Sequence, residues 1–194
     1  MALKQQNFDP IVSAKAQLSN ENRGWSHKAR ENALGRLSNI GLPNRRDEYW
    51  KYTNPAELIT EKPNVLPVTG PEEANVFSEI DVQKIVFCDG VFSSELSDDF
   101  ASENMSISKL SDADDLHWAQ NYYGTLEKQG QSPVSRPLAA LNTAIASDGV
   151  LIQVKGNISK PVLILGVHNT PSEAVLHHVI KVDRDCSLTL LESG

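Results

Sequence analysis

The chain has 194 residues, 40% of them hydrophobic, and carries a formal net charge of -7, enough apolar material to bury a core in one or two domains. The acidic balance and the lack of a basic run argue against a nucleic-acid or anionic-membrane surface, since both need clustered Lys and Arg to offset phosphate charge. Apolar runs such as Pro161 to Val167 fall far short of the roughly 20 residues a membrane helix requires, and MALKQQNFDP has no signal-peptide core.

Asp9-Pro10 is a helix start, Asp as cap and Pro in the first turn, and Ile11, Ala14 and Leu18 share one face after it. Trp25, Ala29, Ala33, Leu34, Leu37 and Ile40 repeat at helical spacing, with Gly41 and Pro43 as the stop. The cluster Arg45, Arg46, Glu48, Tyr49, Trp50, Lys51 and Tyr52 could stack a base or clamp an anion. The simpler expectation is that the rings are buried and the Arg and Lys stems cover them. Asn54-Pro55-Ala56-Glu57 resembles a capping box opening a short helix through Ile59.

Glu61 to Gly70 reads as a surface connector, and Pro71 to Ile80 holds a single helical turn. Ile85 to Cys88 is a strand, Asp89-Gly90 a tight turn and Val91-Phe92 the returning strand. Met105 to Leu110 gives one more strand. Ser111 then caps a helix whose buried stripe is Leu116, Ala119, Tyr123 and Leu126, closed by Gly130.

A helix over Leu138 to Ala146 stops at Ser147-Asp148-Gly149. Four strand-like runs follow, starting at Val150, Val162, Val175 and Ser187, at intervals of 12, 13 and 12 residues. Such a cadence leaves no room for helices and predicts a sandwich, a barrel or a stacked coil. Val150, Ile152 and Val154 form one apolar face, Val162 to Leu165 is apolar on both, and Leu176, His178, Ile180 and Val182 share a face. No hexapeptide repeat is present, which counts against left-handed acyltransferase coils.

Three stretches occur in order: GLPNRRDEYWKYTN from Gly41, KIVFCDGVFSSELS from Lys84 and PLAALNTAIASDGVLIQV from Pro137. Together they resemble the SufB/SufD family of scaffold subunits in the SUF iron-sulfur cluster assembly system, nearer to its SufD branch than to SufB. The resemblance covers the chain from about Trp25 onward. It implies an α+β architecture: residues 1–135 as a helical and mixed capping domain, with the helix at Leu138 as plug, and 136–194 as the first rungs of a right-handed parallel β-helix, truncated after a few turns. It also implies a cytoplasmic SufBCD complex, in which SufC is the ABC-type ATPase that uses ATP and a nascent Fe-S cluster forms near the interface of two β-helices. The residues that hold iron or sulfur, and the SufC docking region, belong to the later part of such proteins. No catalytic, cofactor-binding or metal residue is therefore assigned, no bound cofactor is expected on this stretch, and it should not recruit SufC by itself. The expected role is a non-catalytic scaffold without nucleic-acid or membrane partners.

Two other classes bear comparison. A β-solenoid carbohydrate-active enzyme needs facing carboxylates on successive rungs, whereas these rungs offer Gln153, Lys155, His177, Lys181 and Glu192. A small interaction module would use the aromatic cluster near Trp50. Individual groups invite bland readings. Adjacent strand residues point to opposite faces, so His177 and His178 cannot share a metal without a bulge, and His178 on the apolar side should find a backbone partner or lie at a subunit contact. His117 and His168 have no ligand-spaced neighbours and read as surface or loop residues. Cys88, inside an apolar run, reads as a buried small hydrophobe, and Cys186 follows two aspartates. With no CxxC spacing, this cysteine usage fits a reducing compartment. Asp112, Asp114 and Asp115 read as first-turn charge on a helix, and no phosphate-binding glycine loop is present.

Overall fold

The structure is a computed structural model and describes residues 9–20, 24–59, 68–100, 102–113, 118–130, 134–171 and 173–194. Most of the expected connector (Glu61 to Pro67), together with Asp114, Asp115, Leu116 and His117, lies outside the described residues. Among those described, the helices are α1 (Pro10–Asn20), α2 (His27–Ile40), α3 (Pro71–Ala74), α4 (Thr125–Gly130) and α5 (Pro137–Ile145). The strands are β1 (Gln83–Cys88), β2 (Val91–Phe92), β3 (Met105–Lys109), β4 (Val150–Val154), β5 (Val162–Val167), β6 (Val179–Val182) and β7 (Leu190–Ser193). The chain divides into two compact units, one of Met1–Lys62 with Gln120–Ile145 and one of Pro63–Ala119 with Ala146–Gly194.

In the helical unit Asp9 caps α1 as its sequence demands: Oδ1 accepts the N–H of Ile11 at 2.8 Å and of Val12 at 3.3 Å. α2 ends at Gly41, whose N–H returns to the Leu37 carbonyl at 2.8 Å. Ala14 and Leu18 of α1, Ala33, Leu34 and Leu37 of α2, and Ala140 and Ala144 of α5 make one buried cluster. The alanines let the helix axes approach closely, and the leucines supply most of the apolar area, about 1.5–3 kcal/mol for each one fully buried. The helix expected from Ser111 to its stop at Gly130 is instead, among the described residues, a 3-10 turn over Trp118–Asn121 followed by α4. Gly124 separates the two with φ of 70°, a left-handed conformation that an α-helix cannot contain. Leu126 consequently sits on a separate short helix and is 80% exposed. The capping-box segment forms a 3-10 helix over Pro55–Leu58, with Asn54 Oδ1 accepting from Ala56 N and its amide donating to Glu57.

In the other unit the strands form two mixed sheets, ordered β2-β1-β5-β7 and β3-β4-β6. Asp89 and Gly90, both at positive φ, make the tight turn that pairs β1 antiparallel with β2. The run after α5 alternates between the sheets: β4 pairs parallel with β6 and β5 parallel with β7. Successive strands therefore cross between the layers, and β6 and β7 each lie beside the strand two places earlier. Two features depart from the expected rungs. β1 pairs parallel with β5 and β3 antiparallel with β4, so the middle region builds the same sheets. Among the described residues the strands do not close into a solenoid. The third and fourth runs also start later than expected, at Val179 and Leu190, because Leu176 and Ser187 make only isolated parallel bridges, to Asp148 and Asn157.

Ile85, Phe87, Met105, Val150, Ile152, Val154, Val162 and Ile164 fill the space between the two sheets. Leu163, Leu165 and Val167 point the other way from β5, into a second cluster with Ala74, Val82 and Val86. β5 is thus apolar on both faces because both are covered.

Candidate functional site

Both sheets end on the last two strands. Among the described residues β6 pairs only with β4 and β7 only with β5. The parallel registers carry the core rows onto these edges: Ile107, Ile152 and Ile180 align, as do Met105, Val154 and Val182, and Val162 with Leu190. Inner members of these rows such as Ile152 and Val154 are fully buried, whereas Ile180, Val182 and Leu190 are 37%, 43% and 38% exposed. The apolar rows of the two sheets are thus partly exposed where they reach β6 and β7. Glu192 continues the row of Ile85 and Ile164, placing a carboxylate at this end.

Just ahead of β6, His178 does what a strand histidine does when it needs a backbone partner: its Nδ1 accepts the N–H of Val150 at 3.1 Å. The imidazole lies 5.5 Å from the Phe87 ring. Burial pushes the His178 pKa below its usual 6.5, against the opposing pull of Glu192 and Asp148. Gly149 is required here by close approach, because a Cβ would lie 2.1 Å from the His177 carbonyl oxygen. Asp148 is buried, with Oδ1 accepting from Gly149 N at 2.8 Å and Oδ2 from Phe92 N at 3.0 Å.

The aromatic turn corrects the expectation of buried rings. Glu48–Trp50 is a 3-10 turn, Tyr49 is 72% and Tyr52 90% exposed, and Trp50 is half-buried. Hydrogen bonds of Asn44 with Asp47, and of the Arg46 N–H to Asn44 Oδ1, shape this segment. Polar turn bonds rather than ring burial set its course, and the Lys51 ammonium lies over the Tyr52 ring at 5.3 Å. Cys88 and Cys186 are free and half-buried, on the outer and inner cores of the sheet unit respectively. The main chain of His168 pairs with Thr69. Asp112 pairs with Lys109 at 2.8 Å, a hydrogen bond that holds the lysine above its ordinary pKa. Among the described residues no three His, Cys, Asp or Glu side chains converge as a metal site.

Sequence reasoning missed Arg30, which is 2% exposed. Its Nε donates to Ser26 Oγ at 2.9 Å and its Nη1 to the Ala144 carbonyl near the end of α5 at 3.3 Å. Position 30 lies next to the apolar stripe of α2, and that placement was the only available signal. Arg36 and Glu127, also unremarked, form a two-point ion pair between α2 and α4.

No helix among the described residues is long and apolar enough to cross a membrane. No curated protein matches the chain. The family model described as the SufBD protein N-terminal region matches residues 1–164, most of the chain's length, and the protein therefore belongs to the SufBD family.

Proposed function

We propose that the protein is a non-catalytic scaffold subunit of the SUF system, taking part in iron-sulfur cluster assembly in the cytoplasm beside a SufB paralogue and the SufC ATPase. The family match over residues 1–164 carries this reading. The parallel pairing of β4 with β6 and β5 with β7 supports it, since this is the strand arrangement with which a right-handed parallel β-helix begins. The SufD branch is the closer fit, on the well-formed helices before the Trp50 turn. The nascent cluster is cargo of the complex in this reading, and ATP is used by SufC.

Affinity capture of the tagged protein from its native cells tests the assignment. A SufB-type subunit should co-purify, and deleting the gene should lower the activity of iron-sulfur enzymes when iron is scarce. Capture without any SUF subunit, together with cleavage of a polysaccharide by the purified protein, would replace this reading with that of a carbohydrate-active coil.

A further inference from the structure

The β4–β6 ladder starts at the pair Leu151 and Val179. One position earlier, the N–H of Val150 is held by the His178 ring. Ahead of that, His177 N donates to the Asp148 carbonyl at 3.0 Å. An imidazole nitrogen accepts a hydrogen bond only when it carries no proton. This point of attachment between two strands therefore depends on one titratable atom.

We propose that His178 is a proton-operated latch: neutral, its Nδ1 ties the start of β4 to the start of β6, and protonation releases β6 and opens the outer edge of that sheet. A proton on Nδ1 sets two N–H donors against each other and leaves the Val150 amide without this acceptor. The groups facing the ring are the Phe87 side chain, Asp148 and, from β7, Glu192. Both carboxylates favour the imidazolium, but Asp148 already accepts from Gly149 and Phe92, and burial, the largest influence, disfavours the charged ring. The sign follows. The unfolded or released segment takes up its proton near the usual 6.5 and the latched ring only at lower pH, so the latch's contribution is complete above 6.5 and is lost as pH falls through the lower, latched value.

Amide hydrogen exchange followed by NMR on the whole chain from pH 7.5 to 5, corrected for intrinsic exchange, tests the latch. Protection at Val150, Val179 and Lys181 should fall at least about tenfold, while Ile85 and Ile164 in the other sheet hold theirs. His178→Asn, which keeps an acceptor that does not titrate, should flatten that response. Unchanged protection in the wild type, an equal loss in both sheets, or the same loss in H178N would overturn the proposal. Should H178N fail to fold, the ring nitrogen shifts of wild-type His178 decide: titration coincident with the loss of Val150 protection supports the latch, and a separate midpoint refutes it.

Discussion

The guanidinium of Arg30 lies over the ring of Tyr123, 5.2 Å from its centroid, and the same ring takes Trp25 edge-on at 5.6 Å. The Tyr123 hydroxyl in turn donates to the Thr143 carbonyl at 2.8 Å. One buried cation thus joins α2, the Tyr123 segment and the end of α5, where its positive charge suits the carbonyl end of the helix dipole. Arg30→Met should cost about 2–4 kcal/mol in chemical denaturation. Arg30→Lys should recover little of this, because a lysine has no planar fork to stack and bond at once. Full recovery by lysine would show that only charge matters.

Two glycines should respond in opposite directions. At Gly149 an added Cβ meets the His177 main chain, so Gly149→Ala should destabilise by about 3 kcal/mol or more and disturb the β4–β6 pairing. Gly35 lies inside α2 with nothing within 4 Å of a Cβ, so Gly35→Ala should stabilise by about 0.5–1 kcal/mol through helix propensity. Thermal melts of the two variants provide the comparison.

Arg36 and Glu127 keep 23% and 6% of their side chains exposed. A two-point pair this sheltered should be coupled by about 1–3 kcal/mol. A double-mutant cycle with Arg36→Met and Glu127→Gln measures that coupling directly. Added salt should reduce it only modestly, and a coupling near zero would rank the contact with ordinary surface pairs.

The open turn near Trp50 yields the reverse expectation. Because both tyrosine rings are exposed, Tyr49→Ser and Tyr52→Ser should each change stability by less than about 0.5 kcal/mol. A large loss in urea denaturation would restore the buried-ring reading.

What could be read from the sequence was whatever a local rule decides. The Asp9 cap, the Gly41 stop and the Asp89-Gly90 turn are choices made within a few residues, and all three stand in the structure. The 12- and 13-residue cadence likewise marked runs that hold strands β4 to β7, but it left a sandwich, a barrel and a stacked coil all open. Less legible were features settled by distant partners. The strand at Ile85 gave no sign that it would run parallel to Val162–Val167, a pairing made across the whole intervening chain. The Tyr49, Trp50 and Tyr52 rings have the composition of a core, but a 3-10 turn over Glu48–Trp50 offers no continuous face to bury them. Gly124 ended a helix that periodicity alone would have extended. The Arg30 site emerges only once α5 has brought the Ala144 carbonyl to it. At the candidate site, strand alternation placed His178 on the apolar face and left a backbone partner or a subunit contact open, whereas its bond to Val150 and the exposed ends of the core rows required the structure.

The most direct test of the stacked arrangement is the pattern of cross-strand nuclear Overhauser contacts in the solution protein. The account predicts contacts between β5 and β7 and between β4 and β6 with the parallel signature, in register at Leu163 with Leu191 and Ile152 with Ile180. Strong Hα–Hα contacts between opposed residues of these strands, the mark of antiparallel pairs, or contacts linking β4 directly to β5 as a hairpin, would contradict it.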